Sequence, residues 1–127
     1  MSRGETAERV VRRPPFGAPH VFVLAVIDGE DQTIAHRISK AETVLGRGDE
    51  ADLRLDDDLV SQRHCLIRAD AAICTIVDLG SRNGTQVNGR RLRDGVAHRI
   101  RNLDEIRVGG TSLFVLAGCF KQGGRSS

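Results

Sequence analysis

The chain has 127 residues, and its 19 basic and 17 acidic residues give a formal net charge of +2. This length fits one domain, and a composition with 39% hydrophobic and 28% charged residues is typical of a soluble globular protein. The near balance of charge argues against non-specific nucleic-acid binding, which needs a clear basic excess. The longest apolar run, residues 21–27, is too short to span a bilayer, so we expect no membrane partner and a cytoplasmic location.

The cysteines and histidines show no spacing typical of a metal site or a redox centre. The chain has an odd number of cysteines, and the spacing of the three, Cys65, Cys74 and Cys119, matches no zinc or redox motif. We therefore interpret them as small hydrophobic residues in a reducing compartment. The four histidines are scattered in the same way. We therefore expect no metal ion and no cofactor.

The two ends of the chain differ in composition from the segment between them. Residues 1–19 are rich in arginine and proline, and residues 121–127 are rich in glycine and serine. Such stretches bury little apolar surface. The composition predicts a flexible tail over residues 1–19, one domain over 20–118, and a flexible tail or linker over 119–127.

The central segment predicts only strands and turns. Short runs of apolar and β-branched residues alternate with turn residues, and no segment keeps a helical period of apolar residues. Asn88 and Gly89 favour the left-handed backbone of a two-residue hairpin turn. The pattern indicates an all-β fold, an antiparallel sandwich or barrel. The predicted strands cover residues 21–28, 33–38, 43–47, 53–55, 64–68, 73–78, 85–87, 90–92, 98–101, 105–108 and 112–116.

Three predicted loops between strands carry polar side chains that suit a phosphate group. Arg47 lies in the first loop, Ser61 in the second and Asn83 in the third. Loops at one end of a sandwich can converge although they are distant in sequence. An arginine fork, a serine hydroxyl and an asparagine amide together can bind a phosphate dianion and a peptide backbone.

These loops resemble those of the forkhead-associated (FHA) domain family, whose pattern is Gly-Arg, then Ser-x-x-His, then Asn-Gly. The matching residues are Gly46, Arg47, Ser61, His64, Asn83 and Gly84. The resemblance covers residues 21–117 and includes the run over residues 78–89. It implies a bacterial domain with an FHA/SMAD-like sandwich of eleven antiparallel strands.

The resemblance also implies a phosphothreonine-peptide binding module rather than an enzyme. The family assigns Arg47 and Ser61 to the phosphate and Asn83 to the ligand backbone, while Gln62 and Arg82 match contact positions at which the family varies. The positions that shape the loops are Gly46, His64 and Gly84. The implied partner is a threonine-phosphorylated protein or peptide, with a Ser/Thr protein kinase as a second partner and no direct contact with nucleic acid.

Other functions remain open at this point. One is a degenerate module of the same fold that binds a protein without phosphate, and another is a fragment of a DNA-binding regulator. Catalysis by Ser61 and His64 is disfavoured because no third group orients them. The acidic run over residues 56–58 lacks the spacing of a calcium loop and predicts a solvated turn. Thr6, in the predicted tail, is a candidate intramolecular ligand if it is phosphorylated.

Overall fold

The computed structural model describes residues 20–27, 33–70 and 73–119, and every regular element in these ranges is a β-strand. Within them no helix is long and apolar enough to cross a membrane. The predicted tail over residues 1–19, with Thr6, lies outside the described residues, as does most of the predicted C-terminal tail. The predicted domain boundaries therefore stay predictions.

The strands agree with the predicted ones, with ends shifted by a few residues. They are β1 (His20–Ile27), β2 (Thr33–Arg37), β3 (Glu42–Gly46), β4 (Leu53–Arg54), β5 (Cys65–Ala69), β6 (Cys74–Asp78), β7 (Thr85–Val87), β8 (Arg90–Arg91), β9 (His98–Ile100), β10 (Glu105–Val108) and β11 (Thr111–Cys119).

The strands form two sheets, which confirms the predicted all-β sandwich. A six-stranded sheet has the order β2-β1-β11-β10-β7-β8, and a five-stranded sheet has the order β4-β3-β5-β6-β9. The paired strands are antiparallel except for β3 and β4, which are parallel. Because β3, β4 and β6 end where β5 begins, the segments over residues 46–48, 55–64 and 79–84 meet at one end of the sandwich.

The core between the sheets is mainly aliphatic, since the chain has no Trp or Tyr and Phe22 is the one aromatic residue among the described core residues. Alternate residues of β1, β10 and β11 point inward, and the most deeply buried core residues include Leu24, Ile67 and Leu113. Burying one such side chain contributes about 1.5–3 kcal/mol. Cys65 and Cys74 lie in this core as free thiols, as predicted, and burial raises their pKa to about 12 and about 11.

The predicted hairpin turn at Asn88 and Gly89 joins β7 to β8. Both residues have positive φ, 52° and 83°, as a two-residue hairpin of this kind requires. The Asn88 side chain also bridges to the neighbouring strand, because its Oδ1 accepts from the Glu105 amide at 2.9 Å and its Nδ2 donates to Asp104 at 3.0 Å. These bonds hold the short β8 at a defined place beside the loop end of the sandwich.

Candidate functional site

The backbones of the first and second loops are in direct contact at Gly46. The Arg47 amide donates to the Ser61 carbonyl at 2.9 Å, and the Gly48 amide donates to the Gln62 carbonyl at 3.1 Å. A Cβ on Gly46 would lie 2.0 Å from the Gln62 carbonyl oxygen. Any larger residue at position 46 would therefore push the two loops apart.

The carbonyl groups of Leu59 and Val60 orient two of the predicted contact residues. Arg47 Nε donates to the Val60 carbonyl at 3.1 Å, and Asn83 Nδ2 donates to the Leu59 carbonyl at 2.9 Å. Ser61 follows directly, and its Oγ accepts from the Arg82 amide at 3.0 Å. The three loops thus converge, as their sequences suggested.

These loops enclose a cleft of about 160 Å³, and all five predicted contact residues line it. The lining residues are Arg47, Asp58, Leu59, Val60, Ser61, Gln62, Arg82 and Asn83. Two guanidinium groups, one hydroxyl and two side-chain amides face a single acidic side chain there. Such a set favours a ligand that carries an anionic group and, next to it, a group that both donates and accepts hydrogen bonds.

His64 lies beneath this cleft and connects the second loop to the third. Its side chain is fully buried, its Nδ1 accepts from the Ser61 amide at 3.0 Å, and its Nε2 lies 2.8 Å from the Gly84 carbonyl. Because Nδ1 accepts and the carbonyl can only accept, the proton is on Nε2. The neutral ring therefore holds the backbone on both sides of the cleft.

Asp78, at the end of β6, organises the third loop. Its Oδ1 accepts from the hydroxyls of Ser81 and Thr85, each at 2.6 Å, and its Oδ2 accepts from the amides of Gly80 and Ser81. Burial raises the pKa of Asp78, but the hydrogen bonds from Ser81 and Thr85 outweigh it and hold the pKa below its usual value. The family resemblance included Asp78 in the run over residues 78–89 but assigned it no role, although an aspartate that accepts from the backbone amide two residues on is a common turn residue.

The sequence predicts a solvated acidic turn over residues 56–58. Asp56 and Asp58 are exposed as predicted, but Asp57 is partly buried. Its carboxylate accepts from the Leu59 amide at 2.9 Å, and from the Gly110 amide and the Thr111 hydroxyl at 2.8 and 2.9 Å. Burial raises the pKa of Asp57, and these hydrogen bonds lower it below its usual value. Asp57 therefore ties the loop that orients Arg47 and Asn83 to the turn between β10 and β11.

Two layers can be distinguished at this end of the sandwich. The buried layer, which we call the floor, consists of His64, Asp78, Ser81 and Thr85. The exposed layer, which we call the rim, consists of Arg47, Gln62, Arg82 and Asn83. Ser61 lies between the two layers and is partly buried. No cluster of three metal-ligating side chains occurs within the described ranges.

This geometry agrees with a comparison of the chain with known protein families. A model of the FHA domain matches residues 43–109, which is more than half of the chain and includes the floor, the rim and Ser61. The chain belongs to the FHA domain family.

Similar FHA proteins occur in actinobacterial species. The chain is 34% identical to the FHA domain-containing protein FhaA of Mycobacterium tuberculosis over 72% of its own length and 16% of that protein. It is 38% identical to the oxoglutarate dehydrogenase inhibitor of Corynebacterium glutamicum over 76% of its own length and 65% of that protein. The chain therefore spans less than two thirds of either relative.

Solved FHA structures have the same fold. A domain solved in a structural and functional analysis of phosphothreonine-dependent FHA domain interactions is 31% identical, with a TM-score of 0.68. The match covers 76% of this chain and 95% of that one. The fold of the described residues is thus shared with this solved domain.

Proposed function

We propose that this domain binds peptides containing phosphothreonine and so recruits a protein only after a Ser/Thr kinase has phosphorylated it. The observation that carries the proposal is the convergence of Arg47, Ser61 and Asn83 on one cleft, with Arg47 and Asn83 oriented by neighbouring carbonyl groups. A phosphate brings about −1.5 to −2 charges and three strong acceptors, which these donors match. The phosphothreonine-dependent interactions of the related domain support the same function.

Each contact residue has a distinct proposed role. Arg47 supplies the charge-assisted hydrogen bond to the phosphate, and the Ser61 hydroxyl donates a second bond. Asn83 binds the ligand backbone, because one amide oxygen and one N–H remain available after Nδ2 donates to Leu59. Gln62 and Arg82 line the cleft and contact the residues that flank the phosphothreonine.

The loop-shaping residues have a separate role, which is to keep the contact residues in place. Gly46 permits the close approach of the first two loops. His64 joins the second loop to the third. Gly84 has a φ of 82°, a value that favours glycine, so it allows the third loop to turn directly after Asn83.

We also propose that the chain acts by binding and not by catalysis. Ser61 and His64 do not form a nucleophile and base, since the His64 ring accepts from the Ser61 amide and its other nitrogen faces Gly84. No imidazole nitrogen is left to take a proton from the hydroxyl. The relatives named above include an inhibitor protein, which supports a regulatory role. A location in the cytoplasm is part of the same proposal.

The proposal is tested by measuring the affinity of the chain for a peptide library in three forms: phosphothreonine, phosphoserine and unmodified threonine. We expect binding of the phosphothreonine form, weaker binding of the phosphoserine form and none of the unmodified one. Equal binding of modified and unmodified peptides would instead indicate a module that recognises its partner without phosphate. Salt-dependent binding of unmodified DNA, with no peptide binding, would indicate a fragment of a DNA-binding regulator.

A further inference from the structure

Arg91, on β8, lies directly over the glycine that follows Asn83. A Cβ on Gly84 would be 2.6 Å from Nε of Arg91 and 2.8 Å from its Cζ, so the flat guanidinium covers the Gly84 backbone. The side chain is nevertheless exposed to solvent on its other side. The positive charge of Arg91 therefore lies beside the residue that follows Asn83, the proposed backbone contact. Arg91 is not one of the FHA motif residues.

The position of Arg91 is fixed by the hairpin that carries it. The paired strands align Gln86 with Arg91 and Val87 with Arg90, and the turn between them is bonded to β10 through Asn88. The Leu92 amide also donates to the Thr85 carbonyl at 2.8 Å. A side chain on such a supported strand loses less freedom on binding than one on a loose loop, and so binds more tightly.

Arg91 also lines a second cleft of about 240 Å³, which lies beyond Gly84. Its other lining residues include Arg90, Arg93, His98 and the apolar Val96. Asn83 lines the first cleft and Arg91 the second, and Gly84 lies between them. An extended peptide that leaves the first cleft at Asn83 can therefore continue across Gly84 into a basic environment.

Within the part of the chain that the structure describes, no ion pair neutralises the positive charge of this second cleft. Residues 88–99 contain four arginines and one acidic residue, Asp94. The Asp94 carboxyl is near Asp78 in the floor and helps to lower the pKa of that carboxyl. Among the described residues, no carboxylate forms an ion pair with Arg91.

From these contacts we propose that Arg91 is a specificity-determining residue, which binds an acidic side chain of the phosphopeptide beyond the phosphothreonine. The group bound is an anion, either the carboxylate of Asp or Glu or a second phosphate, and the planar guanidinium suits both. This subsite rests on the proposed phosphothreonine binding, since the ligand must first occupy the cleft at Arg47. It explains how a domain with the common contact residues selects among phosphorylated partners.

The test uses a phosphothreonine peptide with alanine at every flanking position, and a series in which one alanine at a time is replaced by Asp, Glu or phosphothreonine. Affinities are measured for the parent chain, Arg91→Gln, Arg91→Lys and Arg99→Gln. Arg99→Gln is the matched control, because it removes the same charge from an exposed position on β9 that lines neither cleft.

We expect an acidic residue at one particular position to raise the affinity of the parent chain by about fivefold, the effect of an exposed ion pair. Arg91→Gln should abolish this gain while binding the alanine peptide as well as the parent does. Arg99→Gln should keep the gain, and Arg91→Lys should keep part of it. A larger gain with phosphothreonine than with Asp would identify a second phosphate as the preferred anion.

The outcomes separate the subsite from the function on which it rests. If the parent chain binds the alanine phosphopeptide but no acidic position depends on Arg91, the subsite is wrong and the proposed function stands. If the alanine phosphopeptide does not bind the parent chain, both are wrong. Equal losses in Arg91→Gln and Arg99→Gln would show a general effect of charge and would also overturn the subsite.

Discussion

The floor and the rim of the loop cluster both consist of polar residues, but they differ in how far their hydrogen-bonding groups are satisfied by the protein. In the floor, His64 is fully buried and both ring nitrogens have protein partners, and Asp78 accepts four hydrogen bonds. In the rim, Arg47 and Asn83 each make one bond to the protein through their side chains and keep the rest of their donors exposed. Hydrogen bonds satisfied internally contribute to stability, and those left unsatisfied at the surface are available to a ligand.

Residues that stabilise the fold and residues that recognise a ligand therefore lie next to each other but are different residues. A substitution in the floor should unfold the domain at lower temperature or denaturant concentration. A substitution in the rim should leave folding unchanged and remove binding. The predictions below test this separation, beginning with the largest expected effect.

The strongest test of the floor is Asp78→Ala. Removing the carboxylate leaves the hydroxyls of Ser81 and Thr85 and two backbone amides without their acceptor. We expect the free energy of unfolding to fall by about 3–5 kcal/mol, the usual cost of breaking a buried polar network from one side. Urea denaturation measures this change, with the exposed Asp56→Ala as control. A loss no larger than that of Asp56→Ala would mean that the floor does not stabilise the fold.

The corresponding test of the rim is Arg47→Ala. We expect it to weaken binding of a phosphothreonine peptide by about 2–5 kcal/mol, because the phosphate loses its main charge partner. The free energy of unfolding should change by less than about 0.5 kcal/mol, as for other exposed positions. Titration calorimetry and thermal melting on the same samples measure both quantities, and Arg99→Ala on β9 controls for the loss of one positive charge. Undiminished binding by Arg47→Ala would show that the proposed phosphate site is wrong.

His64→Ala sharpens the comparison, since His64 lies directly below the proposed contact residues without lining their cleft. The variant loses two hydrogen bonds and leaves a cavity, so we expect about 2–3 kcal/mol of destabilisation. Binding should weaken only through loss of order at Ser61. Thermal melting of this variant should be compared with that of His98→Ala, which removes an exposed histidine, and its peptide affinity with that of the parent chain. A normal melting temperature combined with lost binding would assign His64 to the rim instead.

The smallest expected effect concerns Asp57, which supports the rim from the side. Asp57→Asn removes one of the two acceptor oxygens, so we expect about 1 kcal/mol of destabilisation at neutral pH. Because the pKa of Asp57 is lower in the folded chain, its contribution is present above the ordinary value of 3.8 and is lost as the pH falls through the lowered value.

The parent chain and Asp57→Asn should therefore converge in stability as the pH falls below 3.8. Denaturant unfolding at a series of pH values measures the difference, with Asp56→Asn as control. A difference that stays constant down to the lowest pH would show that the charge of Asp57 contributes nothing.

The strands and the contact residues were predictable because their signals are local. Strand pairs such as β7 and β8 follow from alternation on either side of Asn88 and Gly89, whose backbone preference acts over two residues. Arg47, Ser61 and Asn83 were found by their resemblance to a family pattern, which records spacing along the chain. The parallel pairing of β3 with β4 was not predicted, because the alternation of a strand as short as β4 does not indicate the direction of its partner.

By itself, the sequence determined the all-β class, the turns and the polar residues of the three loops, because each depends on neighbouring residues or on a recurring spacing. Only the tertiary structure decided what those loops rest on. Asp57 reaches a turn more than fifty residues away, and Arg91 covers a glycine on the neighbouring loop. Such contacts depend on how two sheets pack and where their ends meet, and no periodicity along the chain encodes that arrangement. The sequence therefore predicted a solvated acidic turn and did not single out Arg91, and only the fold placed both beside the site.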